Sequence, residues 1–231
     1  MTVAELLELA GQDSGRVIER MAGMTDDAAA LKLYADAVNE AYWVRKDLVV
    51  TVALCRAGIH CGLNAAVRLP DGDSVRQAEL RGKAKSLAYN LASFTWPGWD
   101  EAGIACDTGS IAAGYDAARL NVRLARELQK GELPMSRGLW MLAGHELCRK
   151  QYALARDHYE RAAAHAAIAA SPADEALGKA FASLVSVIQD PQDADARMRL
   201  EHLTALLGEV EEGAAFVQQV RNAERVFLSN V

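Results

Sequence analysis

The 231-residue chain lacks most of the features that mark sheet proteins and disulfide-stabilised proteins. It has only five prolines, and no stretch alternates convincingly between apolar and polar residues, which argues against a β-sheet. Its four cysteines (55, 61, 106 and 148) show no paired-motif spacing, so we expect free thiols in a reducing compartment. These absences predict an all-α protein.

Basic clusters and an export signal are also missing. The formal net charge is −6, and charges of both signs are mixed along the chain, which disfavours nucleic-acid binding. The N-terminus carries acids where a signal peptide needs bases. The most apolar stretch, 48–67, is interrupted by Arg56, His60 and Asn64, so we predict no transmembrane helix. We therefore expect a cytoplasmic protein with no nucleic-acid or membrane partner.

The chain contains no phosphate-binding loop, no HExxH motif and no GxSxG motif. Cys106 has no histidine tied to it by a motif, although a nucleophilic cysteine needs a nearby base. Cys55 and Cys61 point away from each other on a helix. His158 and His165 are about 10 Å apart along a helix axis at ~1.5 Å per residue. We predict no catalytic residue, no metal site and no cofactor.

Alanine-rich segments with helical spacing of apolar residues fill the chain. Thr25-Asp26-Asp27, Asp73-Ser74 and Ser171-Pro172 are helix start signals. Pro70-Asp71-Gly72 and Asp190-Pro191 are helix breakers. The segments predicted as helices are 2–10, 13–23, one after Thr25-Asp26-Asp27 that contains Leu31 to Tyr42, 47–69, 75–94, 110–130, 139–150, 152–170, 171–189 and two more after 193.

The most informative stretch runs from Leu139 to His165 and reads as two helices joined by a short turn near Lys150. Large and small residues alternate on the facing sides, which lets two antiparallel helices pack closely. The residues concerned are Trp140, Ala143, Gly144 and Leu147 on the first helix, and Tyr152, Ala155, Tyr159 and Ala162 on the second. This pattern resembles the tetratricopeptide repeat (TPR), and Gly178 follows Gly144 at the 34-residue spacing of that family.

The resemblance implies a right-handed, TPR-like α-solenoid of antiparallel helix pairs that forms one domain over 1–231. Residues 1–25 would be N-terminal helices. Residues 26–189 would form about four helix pairs with a loop inserted at 94–109, and residues 190–231 would be a C-terminal helical cap. Within the pairs we expect Ala155 and Ala162 to be buried, and Gly144 and Gly178 to be equivalent.

TPR arrays bind partners on the face formed by their first helices, so the resemblance implies a protein- or peptide-binding scaffold without catalysis. Carried onto this chain, that face and the aromatic loop give the predicted partner-binding residues Glu40, Trp43, Lys85, Tyr89, Trp96, Trp99, Leu142, His145, Arg149 and Lys179. The Lys/Asn pattern with which some TPR proteins hold a C-terminal carboxylate is absent. The partner's identity stays open.

Several alternatives accompany this interpretation. The chain could be a structural module, such as a homodimer, that self-associates through its C-terminal helices. It could instead have a small-molecule or enzymatic pocket under loop 94–109. That loop should be ordered against the helices at 75–94 and 110–130, either as a plug or as an aromatic lid. The polar line Arg56, His60, Asn64 and Arg68 is either a solvent-facing edge or the lining of a groove for an acidic partner.

Overall fold

The fold is known from a computed structural model that describes residues 1–211 and 213–229. These residues form helices and no strand, so the all-α prediction is confirmed. The α-helices are α1 (Val3–Gln12), α2 (Ser14–Ala22), α3 (Asp27–Asn39), α4 (Leu48–Arg68), α5 (Ser74–Phe94), α6 (Thr108–Glu127), α7 (Glu132–Cys148), α8 (Tyr152–Ile168), α9 (Pro172–Gln189), α10 (Ala194–Glu209) and α11 (Gly213–Leu228). A π-helical turn, Glu40–Val44, follows α3, and a short 3-10 helix, Pro97–Trp99, lies between α5 and α6.

Aspartate side chains begin several of the helices. Asp26 accepts hydrogen bonds from the backbone N–H groups of Ala28 and Ala29, and Asp47 accepts one from Val50. Such caps satisfy N–H groups that have no partner inside the helix. Short turns close the helix pairs, as at Lys150, whose φ of 57° lets the chain reverse within three residues.

The chain forms two compact units. Unit 1 comprises Met1–Thr95 and Gly103–Leu128. Unit 2 comprises Trp96–Ala102 and the described part of Gln129–Val231. The organisation of the chain as one domain stays a prediction.

Unit 1 is a layered arrangement of its three longest helices and their N-terminal neighbours. Helix α4 packs against α3 and α5, and α5 packs against α6. Helices separated by one position, α3 with α5 and α4 with α6, are also in contact. Gly58 allows close packing in this core, because a Cβ there would lie only 2.7 Å from Leu87 Cδ1 and 3.1 Å from Tyr34 Cβ.

Unit 2 repeats the same scheme. Helices α7, α8, α9 and α10 pack in succession, α7 also touches α9, and α11 packs on α9 and α10. Ala155 and Ala162 of α8 are both buried, as the small-residue pattern predicts. The short connection after α7 and the small side chains of α8 together bring the two helices close.

Substitution of Ala155 by leucine is expected to destabilise unit 2. The side chain has no exposed surface, so three added carbons must displace neighbours, at a cost of roughly 1–3 kcal/mol. Urea denaturation followed by circular dichroism measures the change. Ala164→Leu, on the exposed side of the same helix, is the matched control. Equal stabilities of the two variants would contradict the helix pairing.

The 34-residue spacing of Gly144 and Gly178 does not correspond to equivalent positions. Both lie in the first helix of a pair, but Gly144 is near the end of α7, at Cys148, whereas α9 continues from Gly178 to Gln189. Their close neighbours also differ. A Cβ on Gly144 would lie 2.8 Å from Trp96 Nε1, whereas one on Gly178 would lie 3.0 Å from the backbone N of Ala163. Each glycine serves a local contact, so the predicted equivalence is wrong.

Candidate functional site

Helix α4 has an unusually apolar surface for a helix that is only partly buried. Among the described residues it is the one helix that is long and apolar enough to cross a membrane, with a mean hydropathy of 1.5. This is a statement about length and composition, which core helices of soluble proteins also satisfy. Only 39% of the apolar window is buried, so much of the helix faces outward.

The outward face of α4 is a stripe with helical spacing. Residues three or four apart on a helix share one side, and the stripe consists of Val49, Val52, Arg56, His60 and Leu63. Val49 is 80% exposed, although valine is among the residues most often buried. The stripe is therefore a candidate contact surface.

Three contiguous pits surround this stripe, with volumes of about 300, 380 and 310 Å³. One lies between α4 and α2, and two lie between α4 and the start or middle of α6. Their lining residues, which we call the α4 groove, are Ser14, Ile18, Leu48, Val49, Val52, Ala53, Arg56, Ala57, Ile59, His60, Leu63, Leu91, Ala105, Asp107, Gly109, Ser110, Ala113, Asp116, Ala117 and Leu120. All belong to unit 1.

Arg56 borders all three pits. Its side chain is exposed and has no hydrogen bond or ion pair with any residue that the structure describes. The other members of the predicted polar line do have partners. Asn64 Nδ2 lies 2.7 Å from His60 Nε2, and Arg68 forms a 3.1 Å ion pair with Asp27. The groove thus has one central cation.

Two aspartates on the α6 side complete the charge pattern. Asp107 caps α6, because its carboxylate accepts a 2.6 Å hydrogen bond from the backbone N–H of Ser110. That bond lowers the pKa of Asp107, which keeps the carboxylate ionised and engaged. Asp116 is exposed and lines the same pit as Leu63, at the other end of the groove from Asp107.

Of the three thiols of unit 1, Cys55 is buried and Cys61 and Cys106 are half-buried. Burial, with a smaller effect of the Asp107 charge, raises the pKa of Cys106 to about 11. Cys106 is therefore protonated at neutral pH, which is the opposite of what a nucleophile requires. Within the residues that the structure describes, no three His, Cys, Asp or Glu side chains are placed to hold a metal ion.

Three of the predicted partner-binding residues do not lie on a surface. Leu142 and His145 are buried, so the prediction that they line an exposed groove is wrong, and Trp96 of the aromatic loop is buried as well. The physical reason is that α7 contacts α8 and α9, while Trp96 packs against Gly144 of α7. The face of α7 that was expected to receive a partner is core.

The other predicted residues retain some exposure. Trp43 is 53% exposed in the π-helical turn, where Lys46 Nζ lies 5.4 Å from its ring centroid. Glu40, Lys85 and Tyr89 are half-buried in unit 1, and Trp99 is half-buried in unit 2. Arg149 and Lys179 are exposed in unit 2, where Lys179 forms an ion pair with Glu175. A partner role for these seven stays a prediction.

The aromatic part of loop 94–109 packs into unit 2. Trp96 is 1% exposed, and its ring centroid lies 5.1 Å from that of Trp140 and 5.9 Å from that of Phe181. Asn222 of α11 donates a 3.0 Å hydrogen bond to the carbonyl oxygen of Trp99. The prediction of an ordered, packed segment is confirmed for Trp96–Asp100. Its predicted location over the helices at 75–94 and 110–130 is wrong, because α7, α9 and α11 receive it.

This packing distinguishes between the two interpretations of the loop, as a plug or as an aromatic lid. Trp96 is a plug in the core of unit 2 rather than an exposed ligand anchor. The rings of Trp140 and Phe181 occupy the space beneath Trp96. The alternative interpretation places a small-molecule pocket in that space. The second half of the loop belongs to unit 1, where Ala105 and Asp107 line the α4 groove.

No family model matches the chain, and no curated protein or solved structure has detectable similarity to it. The resemblance to the TPR family therefore stays a prediction that rests on the pattern of large and small residues in 139–165.

Proposed function

We propose that this protein is a TPR-like helical adaptor that binds a protein or peptide segment in the α4 groove. The architecture supports this, because most consecutive helices within each unit are in contact, and so are α3 with α5, α4 with α6, α7 with α9 and α9 with α11. That contact scheme is typical of stacked helix pairs, in which each pair buries the apolar face of the next. The observation that carries the proposal is the outward stripe of α4, in which Val49, Val52 and Leu63 accompany Arg56 and His60, between the walls formed by α2 and α6.

The dimensions of the groove support a helical occupant. The lining residues of α4 run from Leu48 to Leu63, about 22 Å at ~1.5 Å per residue. A helix of about 15 residues has this length. An amphipathic helix inserts apolar side chains at i, i+3 or i+4, and i+7 into such a groove, and the three pits along α4 offer places for them.

The proposed site differs from the face on which TPR arrays bind. In unit 2 the first helices α7, α9 and α11 receive the chain's own segment Trp96–Asp100. The Arg225 side chain adds an ion pair to Asp100. The surface left for a partner in unit 1 is formed instead by α4 and α6, the second helices of their pairs.

Binding should depend on Val49, which borders two of the three pits. A display library of amphipathic helical peptides about 15 residues long is selected against the wild-type protein, and the enriched peptides are titrated with variants. Val49→Glu is expected to lower their affinity roughly tenfold or more, because a buried charge costs at least the ~1.4 kcal/mol that a factor of ten represents.

Val75 provides a closely matched control. It is 82% exposed and is the second residue of α5, just as Val49 is the second residue of α4. A new glutamate therefore has the same favourable interaction with the helix N-terminus at both positions. Affinity that falls for Val49→Glu and stays unchanged for Val75→Glu supports the proposal. Peptides that bind all three proteins equally, or a selection without binders, would refute it.

A further inference from the structure

The charge at the centre of the α4 groove restricts what the occupant can be. An occupant that covers the three pits also covers Arg56, which forms no hydrogen bond or ion pair with any of the described residues. Removing a guanidinium from water without a partner is costly, and arginine cannot escape the cost by losing its proton. A stable complex therefore needs an acceptor, and a carboxylate matches the planar fork of a guanidinium.

The surroundings of Arg56 disfavour a polyanion. Asp107 and Asp116 line the same groove, and the whole chain has a net charge of −6. Nucleic acids and anionic membranes are held by several cations together, whereas this groove offers one. An occupant whose contacting surface is apolar except for one carboxylate fits this pattern, whereas an occupant with a row of phosphates does not.

The position of the carboxylate follows from the order of residues along α4. Arg56 lies midway between Leu48 and Leu63, the ends of the lining segment. Asp116 borders the pit that contains Leu63, so a second acid of the occupant at that end would be repelled. The occupant should therefore carry its acid at one middle position, with apolar residues on either side of it.

We propose that the occupant is an amphipathic α-helix whose apolar face carries a single aspartate or glutamate near its middle, paired with Arg56. This inference rests on the proposed function, which supplies the groove as the binding site. It adds the charge, the position and the secondary structure of the partner segment. Affinity in such a pairing depends on the sign of the charge at residue 56.

A charge-reversal experiment tests the pairing. Peptides about 15 residues long, with every position of the apolar face randomised, are displayed and selected separately against wild type, Arg56→Glu and Arg76→Glu. Arg76 is an exposed residue of α5 outside the groove, and it too forms no hydrogen bond or ion pair with the described residues. Both substitutions should leave the circular dichroism unchanged and the melting temperature close to that of wild type, since neither removes a hydrogen bond or ion pair of the fold.

Peptides selected on wild type and on Arg76→Glu are expected to share an acid at one middle position. Those selected on Arg56→Glu should carry lysine or arginine there. Peptides selected on wild type should bind Arg56→Glu about tenfold or more weakly than they bind wild type. Peptides selected on Arg56→Glu should likewise bind wild type about tenfold or more weakly than they bind Arg56→Glu. Peptides that lose affinity with Val49→Glu but show no preference for an acid would overturn this inference and leave the proposed function intact. Peptides insensitive to Val49→Glu would overturn both.

Discussion

Replacing Trp96 with alanine is expected to lower the free energy of unfolding of unit 2 by about 3–5 kcal/mol. Trp96 is almost completely buried, and its ring contacts those of Trp140, Trp99 and Phe181. Truncation to alanine removes the stabilisation that comes from burying the large apolar indole ring. It also leaves a cavity, because the surrounding helices cannot fully collapse into the space. Urea denaturation followed by far-ultraviolet circular dichroism measures the loss without depending on tryptophan fluorescence.

Trp43→Ala is the matched control for this variant. Trp43 is half-exposed and makes edge-on contacts with Tyr42 and Phe94, so its removal should cost only about 0.5–1.5 kcal/mol. If Trp96→Ala is no more destabilising than Trp43→Ala, the segment Trp96–Asp100 is not part of the core of unit 2.

A second large effect is expected at Gly178, where α9 approaches α8. A Cβ at this position would lie 3.0 Å from the carbonyl oxygen of Tyr159 and 3.0 Å from the backbone N of Ala163. Backbone atoms inside a helix cannot rotate away as a side chain can. Gly178→Leu should therefore force the helices apart and cost about 3 kcal/mol, at the upper end of overpacking effects.

Gly11→Leu separates this steric effect from helix propensity. Gly11 lies in α1, and a Cβ there would meet no atom within 4 Å. Leucine is a better helix former than glycine by roughly 0.5–1 kcal/mol, so this variant should be slightly more stable than wild type in thermal unfolding. A Gly178→Leu protein as stable as Gly11→Leu would show that α8 and α9 are not in close contact.

The positions of most helices were predictable because their signals are local, although α7 begins at Glu132 and not at the predicted Leu139. Asp26 and Asp47 cap helices through atoms two to three residues away, and the helix breaker at Pro70 acts on its immediate neighbours. The burial of Ala155 and Ala162 was predictable for a similar reason. Small residues at helical spacing opposite large ones leave few other ways to pack two consecutive helices.

Which face of each helix is buried was not predictable, because that depends on residues far away in the sequence. Trp96 is covered by Phe227 as well as by Trp140, and nothing in a local pattern links these positions. His145 is likewise buried where α7 packs against α8 and α9. Alanine-rich helices add to the difficulty, since alanine is compatible with either a buried or an exposed face.

The candidate site was partly visible in the sequence. The polar line through Arg56 and His60 was recognised, with a groove for an acidic partner as one of its two interpretations. The apolar residues beside it, Val49 and Ile18, were missed. Val49 lies in a long apolar segment that is ordinarily read as core, and Ile18 lies in a short, weakly patterned helix. Their exposure reflects the absence of a further helix over this face among the described residues, which only the three-dimensional packing reveals.

The central claim is that the α4 groove of unit 1 holds the partner segment. A selected peptide with a photoreactive phenylalanine analogue on its apolar face is irradiated in complex with the wild-type protein, and mass spectrometry locates the crosslinked residues. Crosslinks are predicted in α2, in α4 between Leu48 and Leu63, and in α6 up to Leu120. Crosslinks confined to α7, α8, α9, α10 or α11 would contradict the claim.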